Sequence, residues 1–345
     1  MSEPTSDAPA AVIFGCAGPQ LAADEDRFFR DIDPLGFILF ARNCETPDQI
    51  RSLTQALRAS VGRDDAPILI DQEGGRVQRL KPPTWRAAPA AGRFGGLAHA
   101  DPAAAVEAAR LNARLIAAEL QDVGVNVDCL PCLDVPAPDG HDIIGDRAFG
   151  NDPNLVATLG RAVADGLIAG GVLPVAKHMP GHGRARADSH LELPIVDTPA
   201  TELETTDFAP FSALADLPLG MTAHVVYSDI DADAPATVSR KVIDDIIRKR
   251  IGFDGLLMSD DLGMQALAGD FATRTSAALA AGCDVVLHCS GVMSEMKEVA
   301  AAARSLDADG RGRADRALTT LGPADDIDLG EALARVNELL AAVAV

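Results

Sequence analysis

The chain has 345 residues, 48% of them apolar and only 4% aromatic, with 30 Lys and Arg against 51 Asp and Glu. The formal charge of −21 repels nucleic acid and anionic lipid, which excludes both as general partners. No stretch approaches the roughly 18–20 apolar residues of a membrane span, and the opening MSEPTSDAPAAVIF lacks the basic and apolar regions of a signal peptide. A cytoplasmic, reduced protein is expected. Its six cysteines are too few for a disulfide framework in a chain this long, and Cys129 and Cys132 form a lone CxxC without a second pair.

In chain order, short apolar runs read as buried strands at Ala11–Cys16, Gly36–Ala41, Pro67–Ile70, Val125–Val135, Gly171–Ala176, Gly220–Tyr227, Gly255–Ser259 and Cys283–His288. Helix-like stretches lie between them, among them Thr46–Val61, Asp101–Val123, Asp152–Ala169, Ala200–Ala215 and Ser239–Ile251. Thr46-Pro47 and Asp101-Pro102 look like N-caps followed by proline at the first helical position. Eight β/α units with no linker between them predict a single (β/α)8 TIM-type barrel spanning 1–345. A doubly wound open sheet is the alternative, but no GxGxxG follows the first run.

A barrel enzyme carries its chemistry just past the C-terminal ends of its strands. Those positions hold Asp71, Asp134, Lys177 with His178, His224, Asp260 with Asp261, and His288. Each alone reads equally as a helix cap or a solvated charge. DQEGGRVQRL, from Asp71, offers a carboxylate for sugar hydroxyls and two planar guanidinium forks, Arg76 and Arg79; its bland reading is a charged surface turn. Arg147 in GDRAFG reads by default as a solvated arginine.

KHMPGHGRARADSH, Lys177 to His190, is read as a loop leaving a strand, because Pro180, Gly181 and Gly183 interrupt any helix. His178 and His182 have the spacing of a zinc pair but not the helix such a pair needs, and HExxH is absent, so no metal is expected. Asp188 stands two residues from His190 and can orient that ring as a general acid/base. In SDDLGM, Asp260 and Asp261 point to opposite sides of extended backbone. One can face the barrel centre as a carboxylate nucleophile, and the other can cap the next helix.

Taken together, GFILFARN, LIDQEGGRVQRL, IIGDRAFG, KHMPGHG with ADSH, MTAHVVY and MSDDLGM resemble glycoside hydrolase family 3, in particular its single-domain bacterial β-N-acetylhexosaminidases. The resemblance implies that Asp260 is the nucleophile of a retaining hydrolase, with His190 the acid/base and Asp188 its partner. It also implies that Asp71, Arg79, Arg147, Lys177 and His178 hold an N-acetylglucosamine unit. The substrate it implies is a muropeptide of cell-wall recycling, GlcNAc-1,6-anhydroMurNAc-peptide. That molecule is anionic, so Arg79, Arg147 and Lys177 would have to offset the field of the chain.

No cofactor is expected, and the protein is expected to be a monomer. The loop would swing His190 into place on Pro180, Gly181 and Gly183. A phosphorylase on the same scaffold stays open as the alternative, with Arg184 or Arg186 as phosphate contacts. A β-glucosidase and a non-catalytic sugar-binding barrel fit the residues less well.

Overall fold

A computed structural model of the chain describes residues 8–137, 143–185, 189 and 192–341. In chain order it contains β1 (Ala10–Gly15), α1 (Ala23–Ile32), β2 (Pro34–Leu39), α2 (Pro47–Val61), β3 (Ile68–Ile70), α3 (Ala91–Ala100), α4 (Pro102–Asp122), β4 (Val127–Asp128), α5 (Pro153–Ala169) and β5 (Leu173–Met179). There follow β6 (Ile195–Val196), α6 (Ala200–Leu203), α7 (Ala209–Ala213), β7 (Leu219–Thr222), β8 (Val226–Tyr227), a π-helix (Val242–Ile251), β9 (Leu256–Asp261), α8 (Phe271–Ala281), β10 (Val285–His288), α9 (Met293–Ala302), α10 (Ala308–Thr319) and α11 (Leu329–Ala341).

Eight of these strands close into a parallel barrel in the order β1-β2-β3-β4-β5-β7-β9-β10, with β10 pairing back onto β1. The fold is a (β/α)8 barrel. Strands buried on both faces must be apolar throughout, and β2 is buried at all six of its positions. Thr46 and Asp101 cap α2 and α4 by accepting from the Gln49 and Ala104 N–H groups, and proline opens both helices. Among the described residues no helix is long and apolar enough to cross a membrane.

The strand boundaries differ from the sequence reading where polar chemistry enters. The run Val125–Val135 contributes only Val127–Asp128 to the regular ladder, because Pro131 has no N–H to give. The chain still follows β5 irregularly: Val175 N–H donates to Leu130 O at 2.9 Å and Leu133 N–H to Lys177 O at 2.7 Å. With those partners, and with Met179 in register with Thr222, β5 runs on through Met179. Lys177 and His178 therefore sit on the strand end itself, not in a loop.

The run Gly220–Tyr227 divides between β7 and β8, and β8 joins β6 in a separate two-stranded sheet. Ala200–Ala215 breaks into α6 and α7. Thr205 and Thr206 turn their hydroxyls back onto Glu202 O, and Pro210 starts the second piece. Ser239–Ile251 winds as a π-helix over Val242–Ile251, and nothing in its residues distinguishes it from an α-helix.

Candidate active site

At the C-terminal mouth of the barrel is a cavity of about 230 Å³, lined on one side by Asp71, Arg79, Arg147, Lys177 and His178 and on the other by Asp260, Asp261 and Met264. Sites for drug-sized ligands run to roughly 300–1,000 Å³, so this one suits a single small polar ring. Phe40 stands at the cavity with the guanidinium of Arg79 5.1 Å above its ring, an apolar face at the edge of a charged wall.

The wall is built from the turn after β3. Gln72 clamps it, accepting from Arg79 N–H and Leu80 N–H at 2.9 and 3.0 Å and donating to Leu80 O at 3.0 Å. Gly74 has φ +94°, and a Cβ there would lie 2.3 Å from Pro89 O, so only glycine fits. The turn then presents two carboxylates. Asp71 accepts from Arg79 and from Lys177, each at 2.8 Å. Glu73 accepts from Lys177 at 2.6 Å and from both arms of the Arg147 fork at 2.8 Å.

Five side chains thus alternate in charge: Arg79, Asp71, Lys177, Glu73, Arg147. Burial opposes charge on all the carboxylates, but Lys177 and Arg79 hold Asp71 well below its ordinary value, and Lys177 and Arg147 bring Glu73 down to about 2. Burial likewise disfavours the Lys177 ammonium, yet Asp71 and Glu73 raise it. Each Asp71 oxygen keeps a second lone pair for a sugar hydroxyl. Sequence reasoning missed Glu73, although it lies inside the DQEGGR motif. It also misjudged Arg147, which is not a solvated arginine but the far end of this chain of charges, its side chain 12% exposed. The expectation that Arg79, Arg147 and Lys177 offset the net field meets a limit: all three pair with Asp71 or Glu73, which cancel two of those charges.

His178 is oriented from behind. Its Nδ1 lies 2.7 Å from Asp134 Oδ2, while Asp134 Oδ1 accepts from the His178 and His182 N–H groups at 3.3 and 2.6 Å. The far wall is the end of β9. Asp260 lines the cavity, and its Oδ1 accepts from Asp261 N–H at 2.8 Å. Burial works against its charge, but the nearby His178 and His224, the Asp261 N–H and Lys177 outweigh burial and hold the carboxyl below its ordinary value. Asp261 instead accepts from Gly263 N–H and Cys289 N–H at 3.0 and 3.1 Å, so it ties down the turn. His224 supports this turn from below, its Nε2 3.0 Å from Asp261 O. His288 does not line the cavity; it contacts Ser290 at 2.9 Å and packs edge-on against Phe271.

Asp188, Arg186 and His190 lie outside the described residues. The first half of their loop is anchored. Tyr227 OH donates to Gly181 O at 2.6 Å, and a Cβ on Gly183 would meet Val135 O at 2.0 Å. These glycines serve close packing, which corrects the expectation that they are hinges. Arg184 pairs with Asp207 at 2.6 Å and Glu202 at 3.0 Å, so it is not available as a phosphate contact.

One further acid lies beneath the wall. Asp128 is wholly buried, and burial pushes its carboxyl up to about 8 against the pull of Gln72 N–H and Lys177. The folded state keeps this proton where the unfolded chain has released it. Stability from this group is therefore present below the unfolded value near 4 and is lost as pH rises toward about 8. Asp128→Asn is expected to remove that loss. In urea melts its advantage over the parent should grow between about pH 5 and pH 8, by roughly 3–4 kcal/mol; an advantage that shrinks with rising pH would show that Asp128 is ionised in the fold.

A one-ring polar cavity at the C-terminal end of a closed barrel, with an ionised carboxylate on its wall, is an arrangement that a barrel glycosidase can use. Residues 22–317 match the glycosyl hydrolase family 3 N-terminal domain, and the chain belongs to that family. It is 41% identical over 286 residues to a β-hexosaminidase of Bordetella avium, covering 82% of this chain and 81% of that protein. A β-hexosaminidase of Methylococcus capsulatus is 43% identical over 282 residues, covering 81% and 82%. The structure of NagZ from Neisseria gonorrhoeae in complex with N-trifluoroacetyl-D-glucosamine superposes with a TM-score of 0.87 at 33% identity, covering 96% of this chain and 98% of that one. The chain is a glycoside hydrolase of the β-hexosaminidase class.

Proposed function

We propose that the whole chain, 1–345, works as one retaining β-N-acetylhexosaminidase domain that removes a terminal N-acetylglucosamine. The observation that carries this reading is Asp260, a half-buried carboxylate held ionised on the wall of a one-ring cavity. Asp71, Arg79, Arg147, Lys177 and His178 hold the sugar, and Asp260 attacks its anomeric carbon. His190, oriented by Asp188, protonates the departing oxygen and later takes a proton from the water that hydrolyses the glycosyl-aspartate. The ordinary pKa of a histidine, about 6.5, suits both directions without the upward shift a glutamate acid needs. The N-trifluoroacetyl-D-glucosamine bound by the Neisseria relative supports an N-acetylated ring for this cavity. The full substrate is GlcNAc-1,6-anhydroMurNAc-peptide, taken up in the cytoplasm by a monomer.

The products test the reaction class. With 4-nitrophenyl N-acetyl-β-glucosaminide, NMR should show free N-acetylglucosamine appearing first as the β anomer, at a rate unchanged by phosphate. A sugar 1-phosphate as main product would establish the phosphorylase instead.

Substitution of His190 or Asp188 tests the acid/base pair. Alanine at either position should reduce kcat/KM on the natural disaccharide by about 10²–10⁴-fold, and much less on the nitrophenyl glycoside, whose leaving group needs little protonation. Equal losses on the two substrates would contradict the assignment.

A further inference from the structure

Behind the cavity, three different donor atoms converge on one point. The thiol of Cys132 donates to Asp134 Oδ2 at 3.2 Å, and Nδ1 of His178 lies 2.7 Å from the same oxygen. The three ligand atoms all fall within 4.8 Å of one another. Two groups that each bring hydrogen to one carboxylate oxygen are arranged as they would be around a cation standing in place of those hydrogens.

We propose that Cys132, Asp134 and His178 form an inhibitory site for a soft divalent cation of the zinc or cadmium kind. Thiolate, imidazole and carboxylate together select such ions over magnesium or calcium. Bonds of about 2.0–2.3 Å in a tetrahedron put neighbouring ligand atoms about 3.3–3.7 Å apart. The thiol and carboxylate are already near that spacing, and the imidazole must withdraw by about half an ångström. Cys132 and Asp134 are fully buried, but His178 lines the cavity, so the ion enters from the substrate side.

On binding, the Cys132 thiol releases its proton to solvent and becomes a thiolate. The imidazole frees Nδ1 by keeping its remaining proton on Nε2. One proton leaves per metal if the ring starts neutral, and two if it starts as imidazolium. The fourth position opens to cavity water. His182 is a second nitrogen source close by: its ring centre is 5.8 Å from that of His178, and among the described residues its Nδ1 has no hydrogen-bond partner. Nothing in the hydrolytic reaction calls for this ion. It draws His178 away from the sugar, so occupancy stops turnover.

Cadmium titration of the full-length protein tests the site directly, through the ultraviolet charge-transfer absorption of a cadmium–thiolate bond. The band is expected to saturate at one equivalent in the parent and to be absent from Cys132→Val and Cys132→Ser, whose thermal melts confirm that they fold. No band in the parent, or a band that persists in both variants, overturns the proposal. A second readout rests on the assignment of His178 to sugar binding. Zinc and cadmium should inhibit the parent reversibly, a chelator should restore it, and the Cys132 variants should tolerate at least about tenfold more metal. A Cys132-dependent band without inhibition would uphold the metal site and overturn its inhibitory role. Inhibition equal in parent and variants would place the ion on other groups at the cavity and overturn that role as well.

Discussion

Asp260→Ala is expected to lower kcat on 4-nitrophenyl N-acetyl-β-glucosaminide by about 10⁴-fold or more. No other described side chain at the cavity can take over its task. Asp261, its neighbour in sequence, holds the Gly263 and Cys289 N–H groups and closes the turn. Asp71 is held between Lys177 and Arg79. The effect should fall on kcat, because the five-charge wall that binds the sugar is left intact. Azide supplies the control. A small anion can occupy the space left by the carboxylate and attack from the same face, so the variant should regain turnover with the α-glycosyl azide as product. Retention of more than a few per cent of parental kcat without azide would remove Asp260 from the nucleophile's role.

The second large effect concerns Lys177, which is 1% exposed and bonded to two carboxylates. Lys177→Met keeps most of the side-chain volume but leaves Asp71 and Glu73 facing each other without the cation between them. Breaking a buried ion pair from one side costs about 3–5 kcal/mol, so a fall in Tm of roughly 4–7 °C is expected for a chain of this size. Sugar binding should weaken in parallel. Adding Glu73→Gln to Lys177→Met removes one of the stranded charges and should recover part of the loss. The coupling in that double-mutant cycle distinguishes electrostatics from packing: strict additivity would mean that Lys177 acts through its volume alone.

Much of this architecture could be read from sequence because a closed parallel barrel imposes simple patterns. Strands covered on both faces appear as unbroken apolar runs, so all eight were visible. The barrel also assigns a location to whatever follows each run, which brought Asp71, Lys177, His178 and Asp260 together before any distance was known. What escaped depends on contacts between distant parts of the chain. Lys177 meets Asp71 across 106 positions, and Arg147 meets Glu73 across 74. No local pattern announces that Glu73 is buried between two cations, or that burial lets Asp128 keep its proton even with Lys177 pulling the other way. The end of β5 escaped for a related reason. Lys177 to Met179 are not an apolar run, and they remain extended only because an irregular stretch after β4 and the edge of β7 supply partners. The loop glycines show the opposite error: composition suggested freedom, whereas Gly183 is glycine because Val135 O occupies the space a side chain would need.

Arg79, Asp71, Lys177, Glu73 and Arg147 come from three separate stretches of chain but satisfy one another in sequence. Exchange of any one strands its neighbours, so a path that alters them one at a time passes through poorly folded intermediates. The sugar-holding wall is therefore inherited as a block and resists gradual drift. Side chains at the outer edge of the cavity lie outside this chain of charges; Arg76 there, its side chain 45% exposed, pairs with Asp146 at 2.9 Å, so its exchange disturbs a surface ion pair and not the wall. Descendants of this chain that acquire new preferences should differ first in what they accept beyond the terminal sugar, and last in the sugar itself.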